Sequence, residues 1–221
     1  MRWWPLFRAS LRASIFLFRD LTAPAGLPAW RAICDELGGT LVPGRIWRPA
    51  ALLVPYRGFL IRLKNISPEH GEPFTFISSE CPSARPLQFS LARSTVFHRF
   101  AEALGRPRFY SGDQAFDAAF AIYGDSDLLL TKFWETSELR RAIKDLPEFR
   151  LKFEHKLVHK SGRLTLRQPT GYSILELETT KVLVDRADLR KSLCLFQRLL
   201  DRLLELQIIR AAAPDAADAR A

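Results

Sequence analysis

The chain has 221 residues, 48% of them hydrophobic and 16 of them Phe, enough for a sizeable folded core and too apolar for an unfolded polymer. Its 33 Lys and Arg against 24 Asp and Glu give a net charge of +9 and a pI near 9.9, which favours anionic partners. Cys34, Cys81 and Cys194 are far apart and include no C-x-x-C pair, which excludes a disulfide framework or a cysteine zinc site and fits a reducing cytoplasm.

Met1 to Leu21 carries Trp3, Trp4, Phe7 and Phe18 among its apolar residues, and Arg2, Arg8, Arg12 and Arg19 with no acid before Asp20. At about 100° per residue, Arg8, Arg12 and Arg19 share a narrow stripe, and Leu6, Phe7, Leu11, Leu17, Phe18 and Leu21 cover the opposite face. The pattern predicts an amphipathic helix over 1–22. Two destinations suit it: the interface of an anionic membrane, or an apolar surface on the protein's own sheet or on a second subunit. No apolar run reaches the roughly 18–20 residues that cross a bilayer, and Ser14 to Phe18 is too short for the apolar part of a signal peptide.

After a Pro-containing linker, Leu27 to Leu37 reads as a helix with Pro28 in its first turn and Gly38 and Gly39 ending it. The period then falls to two. Ala51 to Pro55 and Phe59 to Lys64 are expected as strands joined through Tyr56, Arg57 and Gly58, followed by short strands at Phe74 to Ser78 and Leu87 to Leu91. Ser94 is expected to cap a helix over Thr95 to Leu104. Phe109 to Asp127 reads as a strand with turns at both ends, placing Phe116, Phe120 and Ile122 in the core and leaving Asp113 and Asp117 to hydrogen-bond nearby backbone amides. Leu128 to Trp134 follows as one or two helical turns, and then comes a helix capped by Ser137 with Leu139, Ile143 and Leu146 on one face.

In Phe149 to Arg167, Phe149, Leu151, Phe153 and Leu157 alternate with Arg150, Lys152, Glu154 and Lys156, and Ser161 and Gly162 supply a two-residue turn. That register sets Lys160 opposite Arg163 and Lys156 opposite Arg167, and with Lys152 these cations form a candidate site for an anionic partner. Tyr172 to Glu178 is the next strand, Asp185 caps a long helix running to about Ile209, and Ala211 to Ala221 is expected to be a disordered tail. The fold class is therefore α+β, with antiparallel meanders in two similar halves, 27–105 and 106–210, each closed by a helix within one domain over 27–210.

Signals for catalysis are sparse. His155 and His159 have helical metal-ligand spacing but lie in a strand pattern, where residues four apart stand about 13 Å from each other. No metal or cofactor site is assigned. Asp125 and Asp127 form an acidic pair of the kind that nucleotide-sugar transferases use to hold a metal, which makes a metal-dependent transferase or hydrolase the alternative reading. Nucleic acid is disfavoured, because no aromatic residue interleaves the lysines of the exposed strand face.

The segment from Gly112 to Phe120, with Asp113, Phe116 and Asp117 between them, reads G-D-x-x-F-D-x-x-F and precedes the helix bearing Leu139, Arg140, Arg141 and Ile143. Over about Ala101 to Leu206 it resembles an uncharacterised bacterial family carrying that motif. The resemblance implies a bacterial α+β protein, often membrane-associated, with no assigned catalytic residues, in which the motif is structural. The expectation is a non-enzymatic module associating with a membrane surface or a partner protein, cytoplasmic or peripheral to the inner membrane.

Overall fold

The structure is a computed structural model that describes residues 26–44, 49–94, 108–156 and 171–211. The expected helices at 1–22 and Thr95 to Leu104 lie outside these residues, as do the turn bearing Lys160, Arg163 and Arg167 and all but the first residue of the expected tail.

Helix α1, Leu27–Leu37, begins with Pro28 in its first turn and ends at Gly38, whose φ of 66° is the left-handed geometry that glycine adopts without steric cost. Eight strands follow: β1 Thr40–Val42, β2 Ala51–Tyr56, β3 Phe59–Ile66, β4 Phe74–Pro82, β5 Phe89–Arg93, β6 Phe120–Gly124, β7 Phe149–Lys156 and β8 Tyr172–Thr179. Helix α2, Gln114–Ala119, precedes β6; α3, Asp127–Trp134, and α4, Ser137–Lys144, lie between β6 and β7; α5, Arg186–Glu205, follows β8. The protein is a mixed α+β fold. The β2–β3 hairpin turns through Arg57 and Gly58, both at positive φ as a type I′ turn requires. Arg57 is steadied by an ion pair to Asp201 on α5 at 3.3 Å, and Tyr56 donates its hydroxyl proton to the same carboxylate at 2.7 Å.

The strands form one antiparallel sheet in the order β1-β2-β3-β4-β8-β7-β5-β6. This replaces the expected two halves. Strand β5 belongs by sequence to the first half, yet it sits between β6 and β7 in the second, so the boundary drawn at 105/106 does not separate two layers. Its Leu91 and Phe89 pair with Leu151 and Phe153 of β7, and that apolar match at the centre outweighs sequence proximity.

One row of paired residues crosses all eight strands: Val42, Ala51, Lys64, Phe76, Glu178, Arg150, Ala92 and Ala121. Side chains one position away point to the other face. There Leu52, Leu63, Ile77, Leu177, Leu151, Leu91 and Ile122 are fully buried with Trp30, Phe133, Trp134, Phe196 and Leu200 of the helices. At about 1.5–3 kcal/mol per buried large side chain, this layer is the main source of stability. Helix α5 supplies eight buried residues and packs against both α1 and α4, so it closes the whole sheet and not the second half alone.

Three finer expectations shift. The central segment is a helix followed by a strand, with α2 at Gln114–Ala119 and β6 at Phe120–Gly124, because Asp113 supplies a cap that starts a helical turn. Thr136, not Ser137, occupies the cap position of α4, and β5 starts at Phe89, two residues later than expected. Lys156 stands opposite Tyr172, not Arg167, since the described partner of β7 is β8.

Candidate functional site

The G-D-x-x-F-D-x-x-F segment is a densely bonded polar cluster. Asp113 Oδ1 accepts the Phe116 amide proton at 2.9 Å, capping α2. Its Oδ2 faces Arg140 at 3.2 Å and Lys144 at 3.6 Å, both on α4. Asp117 Oδ1 accepts from the amide and hydroxyl of Ser111, each at 2.9 Å, and its Oδ2 accepts from the Gly112 amide at 3.2 Å. Gly112 has a φ of 84°, so the turn itself calls for glycine. Arg140 also donates to the carbonyls of Trp134 and Glu135, and Arg108 donates to those of Asp117 and Phe120. The cluster thus ties α2 to α4 and caps the end of α3. Beneath it, Phe116 packs on Phe120 at 4.9 Å and Trp134 at 5.9 Å between ring centres.

The backbone hydrogen bond from Phe116, with the nearby Lys144 and Arg140 cations, holds the Asp113 carboxyl below its ordinary pKa. Folding then favours the ionised form. The resulting stabilisation is present at neutral pH and is lost as the pH falls below about 4, through the depressed folded-state value. Asp113→Asn keeps an acceptor for the cap and removes the charge. Its thermal midpoint is expected to lie below wild type at pH 7 and to approach it as the pH falls below about 4; a gap of constant size across that range would contradict the assignment.

The second acidic pair lies at the other end of β6. Asp125 Oδ1 accepts the Gln88 amide proton at 2.9 Å, and the Asp125 amide donates back to the Gln88 carbonyl at 3.2 Å, so this residue closes the β5–β6 ladder. Asp127 is the first residue of α3, where a carboxylate favours the helix dipole. The four acids therefore divide between two ends of one strand. Among the described residues no group of three or more His, Cys, Asp or Glu is placed to hold a metal ion. His155 is half-buried near the end of β7 with Nδ1 3.5 Å from the fully buried Ser173 hydroxyl; His159 lies outside the described residues. Burial pushes the Cys81 thiol up to about 12, so it is neutral at physiological pH. An open depression of about 420 Å³ lies beside Tyr110, Gly112, Gln114 and Ala118, but its one carboxylate, Asp117, is already occupied by Ser111 and Gly112.

Of the expected basic site, Lys152 and Lys156 are described, and both face Glu154, at 2.5 Å and 3.8 Å. The neighbouring Arg150 is 3.9 Å from Glu178 across the strands. Charge across the whole chain is partitioned in the same sense. The described residues hold 21 Lys and Arg against 20 Asp and Glu, whereas the remaining segments hold 12 against 4, so eight of the nine excess positive charges lie outside the described body. None of the described helices is long and apolar enough to cross a membrane.

No family model and no curated protein matches the chain. Among solved structures it is similar to the crystal structure of the mycobacterial trehalose monomycolate transport factor A, TtfA, with 11% identity and a TM-score of 0.46 over 84% of this chain and 97% of that one.

Proposed function

We propose that this chain is a non-enzymatic module that attaches to an anionic membrane surface, on the cytoplasmic face of the inner membrane, through basic segments outside a near-neutral described body. The charge partition carries this reading. A body with 21 bases and 20 acids has little long-range attraction for any surface, while Met1 to Leu21 combines four Arg with Trp3, Trp4, Phe7 and Phe18 and has a single acid. Lys160, Arg163 and Arg167 add three cations and no acid between 157 and 170. Each cation close to an anionic bilayer contributes about 1 kcal/mol, and the aromatic residues add interfacial burial. The clustered acids, in contrast, are engaged in caps and ladder bonds.

Co-sedimentation with vesicles containing about 30% phosphatidylserine tests this directly. The full chain is expected to pellet with the vesicles, deletion of Met1 to Leu21 to lower binding at least tenfold, and replacing Lys160, Arg163 and Arg167 by Ser to lower it about three- to tenfold. Binding that is unchanged by both alterations would overturn the proposal.

A further inference from the structure

Met1 to Leu21 joins the described body beside the start of α5. Gly26 packs backbone against backbone on the residues that lead into that helix: a β-carbon there would stand 2.9 Å from the Leu183 carbonyl oxygen and 3.2 Å from Val184 Cα. Leu21 is five positions from Gly26, a reach of at most about 18 Å. A surface that holds Met1 to Leu21 is therefore close to the N-terminal end of α5. The outward side of that helix suits an anionic one. Arg186, Arg190, Cys194 and Arg198 recur every four residues with Lys191 beside them, all exposed, opposite the buried Leu193, Phe196 and Leu200. Between Leu189 and Leu200 there is no acid. Glu36 of α1 binds both Arg186 at 3.0 Å and Arg190 at 2.9 Å, one carboxylate between two guanidinium groups. Lys191 and Arg198 form no ion pair among the described residues. Nearby acids are matched or turned aside: Asp201 by Arg57, Glu205 by Arg202, and Asp35 of α1 by Arg31 one turn away. Asp185 is engaged in the cap, and Asp188 lies about 160° around the helix from Arg190. Val184, 58% exposed, adds an apolar side chain at the end of the stripe.

We infer that α5 is the side of the body that faces the bilayer. With Met1 to Leu21 at the membrane, Arg190, Lys191 and Arg198 meet anionic lipid headgroups and Val184 reaches the interface, so the body docks by its helical side with the sheet behind. This rests on the membrane attachment proposed above and adds which surface of the body the attachment presents. Arg186 to Arg198 spans about 18 Å along the helix, no longer than the reach from Leu21 to Gly26. Screening beyond about 10 Å makes the stripe a contact of the anchored protein, since a body with nearly equal acids and bases is not drawn in from a distance.

Cys194 lies in the middle of the stripe and is exposed, whereas Cys81 is buried and Cys34 half-buried. In the full chain carrying Cys34→Ser, the rate at which Cys194 reacts with a membrane-impermeant maleimide therefore reads the position of α5. That rate is expected to fall about tenfold on vesicles containing about 30% phosphatidylserine. A second reporter, Arg150→Cys in a chain carrying Cys34→Ser and Cys194→Ser, stands on the sheet face away from the core at a position 67% exposed. It is expected to slow less than about twofold on the same vesicles. Lys191→Ser with Arg198→Ser, both at exposed positions, is expected to lower vesicle binding about three- to tenfold with an unchanged far-UV circular dichroism spectrum. Equal rates of change at the two reporters, or unaltered binding by the double variant, in a chain that pellets with the vesicles would overturn the inference and leave membrane attachment standing. Failure of the full chain to pellet would overturn both.

Discussion

Replacing Phe116 by alanine is expected to cost about 3–5 kcal/mol of folding stability, read as a fall in the urea midpoint at unchanged slope. The side chain is fully buried against Phe120 and Trp134, and Lys144 Nζ lies 5.9 Å from its ring centre. Trp134 in turn contacts Phe89 and Phe133, so a cavity here opens into an aromatic layer that cannot collapse by moving one side chain. Phe116→Leu fills most of the volume and is expected to lose less than half as much. A loss below about 1 kcal/mol for the alanine variant would show that the motif's first aromatic residue does not hold the fold.

The second large effect is expected at Thr75, whose buried hydroxyl joins three segments. It donates to Asn65 Oδ1 at 2.9 Å and accepts the Leu183 amide proton at 2.9 Å. Beside it, Thr179 Oγ1 accepts the Thr75 amide proton at 3.1 Å and reaches the Lys181 carbonyl at 2.6 Å. Thr75→Val preserves the shape and leaves the buried Leu183 amide without its acceptor, at a cost of about 1–3 kcal/mol. Thr75→Ser retains the hydroxyl and is expected to recover more than half of that. The Leu183 amide should also exchange with solvent faster in the valine variant than in wild type. Equal stability of the valine and serine variants would contradict the role given to this hydroxyl.

Local order was legible where pattern and punctuation agreed. Pro28 and Gly38 bracket α1, Asp185 caps α5 by accepting from Ala187 and Asp188, and the alternation of Phe149, Leu151 and Phe153 marks the buried face of β7. Topology was not legible, because pairing of β5 with β7 joins residues about 60 positions apart and leaves no local trace. The helix α2 was read as a strand for a related reason. Its six residues are too few to display a period, and only the cap bond from Asp113 distinguishes it.

The candidate site divides in the same way. Turn and cap roles for Asp113 and Asp117 follow from their spacing to nearby amides, and the structure supplies those bonds. Arg140 and Lys144, which complete the cluster, stand 27 and 31 residues from Asp113, and only their helical spacing of four signalled a shared partner. For the basic strand, Lys152 and Lys156 were visible in sequence, but Glu176 and Glu178 come alongside β7 only through the β8 register. The described part of the expected basic site is therefore locally balanced, and most of the chain's excess positive charge lies outside the described residues.

The most direct measurement is the salt dependence of vesicle binding by the full chain, with anionic and neutral lipids compared side by side. Binding driven by the cations of these segments is expected to be strong on anionic vesicles at about 50 mM NaCl and to fall at least tenfold by about 500 mM, as screening shortens the reach of each charge. Neutral phosphatidylcholine vesicles should retain little of the protein at either salt. Equal binding to neutral vesicles, or no binding to anionic ones at low salt, would contradict the account.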